Sequence, residues 1–449
     1  MDIFLSKVED GFDMRKEILK LSGPIILQSM IVYLVMAVEN LLIGRILPSA
    51  FAAMTLTTQI YNITSLVIQG IIGGGNILFA KHFGSRDYPR MRCIIRYEFI
   101  FTAVFIGGVS AACLAAPRLV MSILTDHEDL ICLGGIYIRV MGMAWLLASC
   151  SMVVTQVLRT IGEAGFPMKV AAAEMTSELI ATAAILSSGL SPEGKLRGIA
   201  LSFLGLKLLE LGILSVCLMR RTAEWTRPAE KVPGFFGTFF QTVLPVTANE
   251  LLWALGTSLL VTFIGRQDQT VIAAYGICVT AESLAGVLMS GLDLSGSMVL
   301  GKSIAHGREK IVEIRSMLRR LALEMGALEI VVLLGMLVLA PRIYNQGEAV
   351  DQLAACLLAI DAGVELFKAA QCMSMTGILR PLGDVRFCFL NDILFQWLYI
   401  IPGTWLLLNV AQVPFVVVFF FMKTDQIIKV FTSERRINSI LKSNDGLAV

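Results

Sequence analysis

The chain has 449 residues, of which 56% are hydrophobic before glycine is counted and only 16% are charged, with a mean hydropathy of +0.75. Soluble domains reach about 45–50% apolar with glycine included, and so few charges cannot cover a water-soluble surface of this size. The net charge of +2 says little about partners beyond the lipid bilayer, and no nucleic acid is expected among them.

The first seventeen residues mix acids and bases, and the apolar run after them lacks a small-residue cleavage pattern, so no cleavable signal peptide is expected. Runs close to the length that crosses ~30 Å of hydrocarbon then follow at roughly 18–44, 50–80, 97–121, 130–157, 168–188, 198–219, 237–264, 270–300, 317–340, 351–378, 387–409 and 412–431. Each run is long and continuous and lacks barrel-type alternation, so the spans are helices and the fold class is an all-α membrane protein.

Charge placement tests this count of twelve. With the N-terminus cytosolic, the inside segments hold 28 Lys and Arg, five of them counted with the tail. The outside loops hold six (Arg45, Arg118, Lys195, Arg197, Arg266 and Arg342), and three (Arg139, Lys207 and Lys368) fall within spans. That asymmetry puts both termini of a multi-pass cell-membrane protein inside. Nine scattered Cys, no two closer than sixteen positions, suit small packing residues rather than disulfides or a zinc site. The three His (His82, His127 and His306) all fall in predicted loops.

The chain also repeats itself. Sliding it by 221 residues lays Pro24 on Pro245, Gly44 and Arg45 on Gly265 and Arg266, Gly70 on Gly291, and Lys81 on Lys302, with no gap. The phrase QVLRTIGEAGF at 156–166 falls on GILRPLGDVRF at 377–387. Each half therefore has six spans, and an even number gives both halves the same orientation, related by a pseudo-twofold axis along the membrane normal. The expected division is an N-terminal six-helix lobe at 1–219, a cytosolic linker at 220–236, a C-terminal six-helix lobe at 237–431 and a cytosolic tail at 432–449. The repeated phrase reads as a tight turn: Gly162 and Gly383 are free to take φ > 0, and Arg159 with Glu163, and Arg380 with Asp384, are spaced to pair across it.

At these residues the chain resembles the multidrug and toxic compound extrusion (MATE) transporters. PIILQSMIVYLVMAVENLLIGR is similar to the family's first span. YIRVMGMAWLLASCSMVVTQVLRTIGEAG, AAYGICVTAESLAGVLMSGLDLSG and MSMTGILRPLGDVRFCFLNDILFQWLYIIP resemble its fourth, eighth and tenth-to-eleventh spans, in that order. The resemblance implies two six-helix bundles facing each other in a V, and efflux of organic, often cationic compounds in exchange for H⁺ or Na⁺. It implies no nucleotide hydrolysis, and the sequence has no P-loop motif. No enzyme activity and no cofactor beyond the coupling ion are expected, with a small organic substrate and a monomer.

Ionisable residues inside spans are functional candidates by default. Glu39 stands where the family's first span has an Asp, one methylene shorter. Glu174 and Glu178 lie one turn apart on one face of span 5, where the family carries an Asn and an Asp. Ser202 is a loose match to a family Thr in span 6. Three carboxylates converging in one bundle cannot all stay ionised in a low-dielectric interior. Glu39, Glu174, Glu178 and Ser202 are therefore the ion-coupling candidates, with a proton and a cation competing for them. Each also has a plainer reading, as a packing acid satisfied by Ser, Thr or backbone.

The offset sends those acids to Leu260, Phe395 and Tyr399, so the second half carries its own set. Asn249, Glu250, Trp253, Glu282 and Met289 are candidate contacts for a cationic substrate, joined by Gln28, Tyr33, Asn62 and Gln69 from spans 1 and 2. Lys207 with Glu210, and Glu365 with Lys368, read as internal ion pairs, while Arg139 snorkels outward or pairs with an acid. The main rival is a flippase for a lipid-linked precursor, which favours a cationic cavity rather than the acidic one predicted. A membrane enzyme and a scaffold find no clustered surface acids or intramembrane His, and no extramembrane domain.

Overall fold

A computed structural model describes residues 14–125, 127–222, 234–344 and 347–442. The charged start, most of the 220–236 linker and the last residues of the tail lie outside the described residues. Among the described residues the chain is helical throughout, without strands. In the first half the helices are α1 (Met14–Ile46), α2 (Pro48–Gly84), α3 (Tyr88–Ala115), the short α4 (Pro117–Ser122), α5 (Glu128–Thr160), α6 (Gly165–Ser187) and α7 (Pro192–Arg221). In the second they are α8 (Phe235–Ile264), α9 (Gln269–Ser303), α10 (Arg308–Tyr344), α11 (Glu348–Cys372), α12 (Val385–Ile393), α13 (Ile401–Asn409) and α14 (Phe415–Lys442).

Nine of these are long and apolar enough to cross a membrane by length and composition alone. The other three spans deviate for visible reasons. α11 carries Asp361, Glu365 and Lys368, and α14 carries Lys423, Asp425 and Lys429. The α12–α13 rod is interrupted by a π-helical stretch, Leu394–Ile400, and a second such stretch, Met373–Leu379, extends α11. The all-α, twelve-span fold class read from the composition is the one observed.

Two compact units form, one from residues 27–251 and the other from residues 1–26 with 252–449. The chain therefore passes from one unit to the other inside α1 and again inside α8. Both crossings follow an internal proline, Pro24 in α1 and Pro245 in α8, each of which removes a backbone hydrogen bond from its helix.

The offset of 221 also relates the contacts that seat these helix starts. In the 27–251 unit, a Cβ on Gly70 would stand 2.4 Å from the Cα of Thr247. In the other unit, a Cβ on Gly291 would stand 2.4 Å from Cγ1 of Ile26. Gly291 is the repeat partner of Gly70, and Thr247 that of Ile26. Apolar helices gain nothing over lipid by hydrophobicity alone, so close approach at small residues is what holds them together.

Around these crossings each unit builds its own core. Ile68, Phe79, Ile94, Val153, Phe239 and Val243 pack in the 27–251 unit, where Ile43, Ile138, Trp145 and Leu196 form a second cluster. Ile277, Leu333, Leu357, Val418 and Phe419 pack in the other.

The repeated phrase forms the two turns expected of it, with φ of 97° at Gly162 and 90° at Gly383. The ion pair expected across the first turn does not form. Arg159 instead donates to the Gln28 side chain at 2.7 Å, and Glu163 pairs with Arg221 at 3.0 Å. At the second turn Asp384 pairs with Arg436 of α14. Helices packed against the first turn outcompete the local i,i+4 partner, whose worth is only ~0.2–0.5 kcal/mol.

A second correction concerns the charge count, in which Lys423 and Lys429 are counted with the tail although they fall in the span at 412–431. Both are buried in α14 and paired with acids. All nine cysteines are free thiols.

Gly70→Ala and Gly291→Ala should each lower stability by roughly 1–3 kcal/mol, the cost of overpacking a close contact. Gly205→Ala, where a Cβ meets nothing within 4 Å, should be neutral or mildly stabilising. Thermal melting of the three purified variants checks the contrast.

Candidate functional site

In the 27–251 unit, α6 presents Glu174, Glu178 and Thr182 at successive four-residue steps, all buried. That spacing puts the three on one face. Glu39, half-buried on α1, accepts a hydrogen bond at 2.7 Å from the Thr182 hydroxyl. Glu178 stands one turn before Thr182, within electrostatic reach of Glu39 and Glu174. Tyr137 of α5 is buried beside both Glu39 and Glu178. The structure thus brings together the three acids that the sequence singled out.

The three do not have the same partners. Glu174 faces Lys207 of α7, whose Nζ is 3.2 Å from Glu174 Oε2 and 3.1 Å from Glu210 Oε2. The Lys207–Glu210 pair is as the sequence predicted, and Glu174 joins it as a third member. Among the described residues no Lys or Arg pairs with Glu39 or Glu178. Ser202 does not reach the acids: its hydroxyl donates to the Ile199 carbonyl on its own helix at 2.8 Å. The hydroxyl at Glu39 comes from Thr182, which was legible as the next step of the Glu174–Glu178 face.

The other unit is also rich in buried charge. Lys423 Nζ lies 2.8 Å from Asp361 Oδ1 and 3.0 Å from Glu282 Oε2. Lys368 lies 3.1 Å from Glu282 and 3.3 Å from Glu365, the latter pair as predicted. Cys278 donates its thiol to Asp361 at 3.1 Å. Glu282, a candidate substrate contact, therefore already holds two ammonium groups. Glu329, fully buried on α10, accepts from the Met289 backbone N–H at 3.1 Å.

The remaining candidates are dispersed. Gln28 is engaged by Arg159, Asn62 and Gln69 are exposed, Asn249 is buried and Glu250 half-buried. The Trp253 side chain is about half exposed while its carbonyl accepts from Gln396 at 2.9 Å, and the Met289 side chain is buried. Tyr33 lies on α1, and its side chain is outside those described. Sequence reasoning passed over Glu98, Glu329 and Lys423, all buried in helices. Lys423 was hidden because it was counted with the basic residues that follow the last span.

Comparison with known proteins gives one family match and a shared fold. Residues 24–182 match the MatE family model. No curated protein sequence matches. Among solved structures, a MOP superfamily transporter from Pyrococcus furiosus, described as having a binding pocket of reversed polarity, superposes with a TM-score of 0.82 at 14% identity, over 96% of this chain and 97% of that one. A mutant of the Vibrio cholerae MATE transporter VcmN gives 0.83 at 14% identity, over 96% and 98%. The MATE transporter ClbM, solved in complex with Rb⁺, gives 0.79 at 16% identity, over 97% of each chain. The MatE family model covers the first part of the chain, residues 24–182, and the fold over nearly the whole length is that of the solved MATE transporters.

Lys207→Met should destabilise the protein by about 3–5 kcal/mol, because it strands two buried carboxylates. Adding Glu174→Gln and Glu210→Gln to it should recover most of the loss. Apparent melting temperatures of the single and triple variants test this, and equal melting of the two would contradict the pairing.

Proposed function

We propose that the protein is a secondary active efflux transporter that exports organic, cationic compounds in exchange for H⁺, by alternating access. The observation that carries this reading is the grouping of two acids without a lysine. Glu174, Glu282, Glu365 and Asp361 are each matched to a lysine; Glu39 and Glu178, like the buried Glu98 and Glu329, are not, and they lie within electrostatic reach of each other, with the Thr182 hydroxyl donating to Glu39. A carboxylate held inside a membrane protein without a fixed cation is a place for a mobile one. A proton on either group removes the charge that a cationic substrate needs, so proton and substrate compete for the same pair. A ligand shifts a two-state equilibrium only by binding one state better than the other. In this cycle the substrate favours the state that releases it outward, and the proton drives the return.

The proton is preferred over Na⁺ as coupling ion because Glu39 and Glu178 are two titratable carboxylates within electrostatic reach of each other, and mutual repulsion and desolvation favour a proton on one of them. The acidic character of the pair also favours a cationic substrate over the anionic headgroup that a flippase for a lipid-linked precursor would move. Charge asymmetry along the sequence supports a cell-membrane location with both termini cytosolic, and the protein is proposed to act as a monomer without an organic cofactor.

Purified protein in proteoliposomes should couple inward proton movement to outward transport of a cationic dye. Glu39→Gln and Glu178→Gln should each abolish the coupled proton flux, while Glu174→Gln should retain a substantial part of it. Wild-type coupled flux in both of the first two variants would refute the reading. Transport driven by a Na⁺ gradient at uniform pH would replace H⁺ with Na⁺.

A further inference from the structure

Away from the acids, the 27–251 unit has a pocket of about 490 Å³ with the opposite character. Arg118 of α4, Arg139 of α5 and Arg197 of α7 all line it, and no carboxylate does. The rest of the lining is small and apolar, including Ala115, Pro117, Ile136 and Val140. All three arginines are exposed, and among the described residues none has an ion-pair or hydrogen-bond partner. Three like charges gathered around one hollow repel each other, so the arrangement is at its most stable when an anion sits among them.

Topology accounts for Arg118 and Arg197 poorly. The charge count puts only six Lys and Arg in outer loops, and two of those six converge here with the one arginine that lies within a span. The positive-inside rule selects against basic residues on that side, so this concentration calls for a different cause.

Depth and the surrounding surface narrow the ligand. α5 has 33 residues, about 50 Å at 1.5 Å per residue, which exceeds the ~30 Å hydrocarbon core and reaches through the headgroup layers. Arg139 lies eleven residues, about 16 Å, into it, within snorkelling reach of the headgroup layer for a long guanidinium side chain. One turn deeper on the same faces, Met143 of α5 and Leu201 of α7 are 46% and 51% exposed, so the hollow continues inward as an apolar surface. A free anion would use only the arginines. A molecule with a phosphate at one end and a hydrocarbon chain at the other uses both.

We infer that Arg118, Arg139 and Arg197 form a binding site for the headgroup phosphate of an anionic glycerophospholipid, whose acyl chain lies along Met143 and Leu201. The guanidiniums supply paired N–H donors matched to phosphate oxygens. The site does not depend on the transport reading, because none of its residues belongs to the acid cluster.

The test is native mass spectrometry and thermal melting of the full chain, in nanodiscs of phosphatidylcholine with or without phosphatidylglycerol. The wild type should retain phosphatidylglycerol at least about tenfold better than phosphatidylcholine and should melt higher in its presence. Arg139→Gln and Arg197→Gln, tested singly, should each reduce that preference about tenfold, the loss of a charge-assisted phosphate contact. Arg266→Gln and Arg342→Gln, which remove two other outer-loop arginines, should leave it unchanged. Millimolar inorganic phosphate should not displace the lipid. Two results would overturn the proposal: wild-type lipid preference in both pocket variants, or full displacement by inorganic phosphate, which would make this an ion site. Arg197→Gln keeps the test decisive even where Arg139→Gln impairs folding, because Arg197 is exposed near the start of α7.

Discussion

Two backbone approaches, Gly70 against Thr247 and Gly291 against Ile26, bear on everything else in this fold. Each seats the start of one long helix in the unit that does not contain the rest of it, and each follows from a glycine whose missing side chain leaves room for a neighbouring helix. In a bilayer there is no hydrophobic gain from bringing apolar helices together, so such contacts carry a share of stability that a soluble core would spread over many side chains. The same duplication that copies Gly70 to Gly291 copies Pro24 to Pro245, next to the positions where the chain passes between units. The repeat therefore preserves the points of exchange as well as the number of helices.

Charge is handled differently from shape. The two halves share their frame but not their buried acids, and each unit neutralises some of its carboxylates with lysines: Glu174 and Glu210 with Lys207 in one, Glu282, Glu365 and Asp361 with Lys368 and Lys423 in the other. Burying an ion without a partner costs several kcal/mol, and pairing recovers much of that only when the geometry is close. Against this background Glu39 and Glu178 stand out for their neighbours rather than for their burial. A hydroxyl and a tyrosine lie beside them where Glu174, Glu282, Glu365 and Asp361 have an ammonium. The three arginines at the pocket between α4, α5 and α7 are the reverse case, a positive group without acids.

Much of the fold was legible in the sequence because its signals are local or periodic. Span length follows from bilayer thickness, the repeat from a constant offset, and the positive φ at Gly162 and Gly383 from glycines in matched turns. The candidate site was partly legible. Glu174 and Glu178 announce a shared face by their spacing, and Thr182 extends it by one more step. The Glu365–Lys368 and Lys207–Glu210 pairs were readable for the same reason, each lying within a single helix.

What failed were assignments in which a local partner competed with a distant one. Arg159 turned from Glu163 to Gln28, Glu163 found Arg221, and Lys423, counted with the tail, reached Asp361 and Glu282. Sequence spacing states which groups can meet along one helix, because helical geometry fixes those distances at every occurrence. It does not state which helix lies alongside, since that depends on side-chain packing summed over the whole bundle. The sequence by itself therefore determined a duplicated, twelve-span membrane protein with acids inside its first half. Only the tertiary structure decided which acids received a lysine, which received a hydroxyl, and where three arginines from separate helices came to share one hollow.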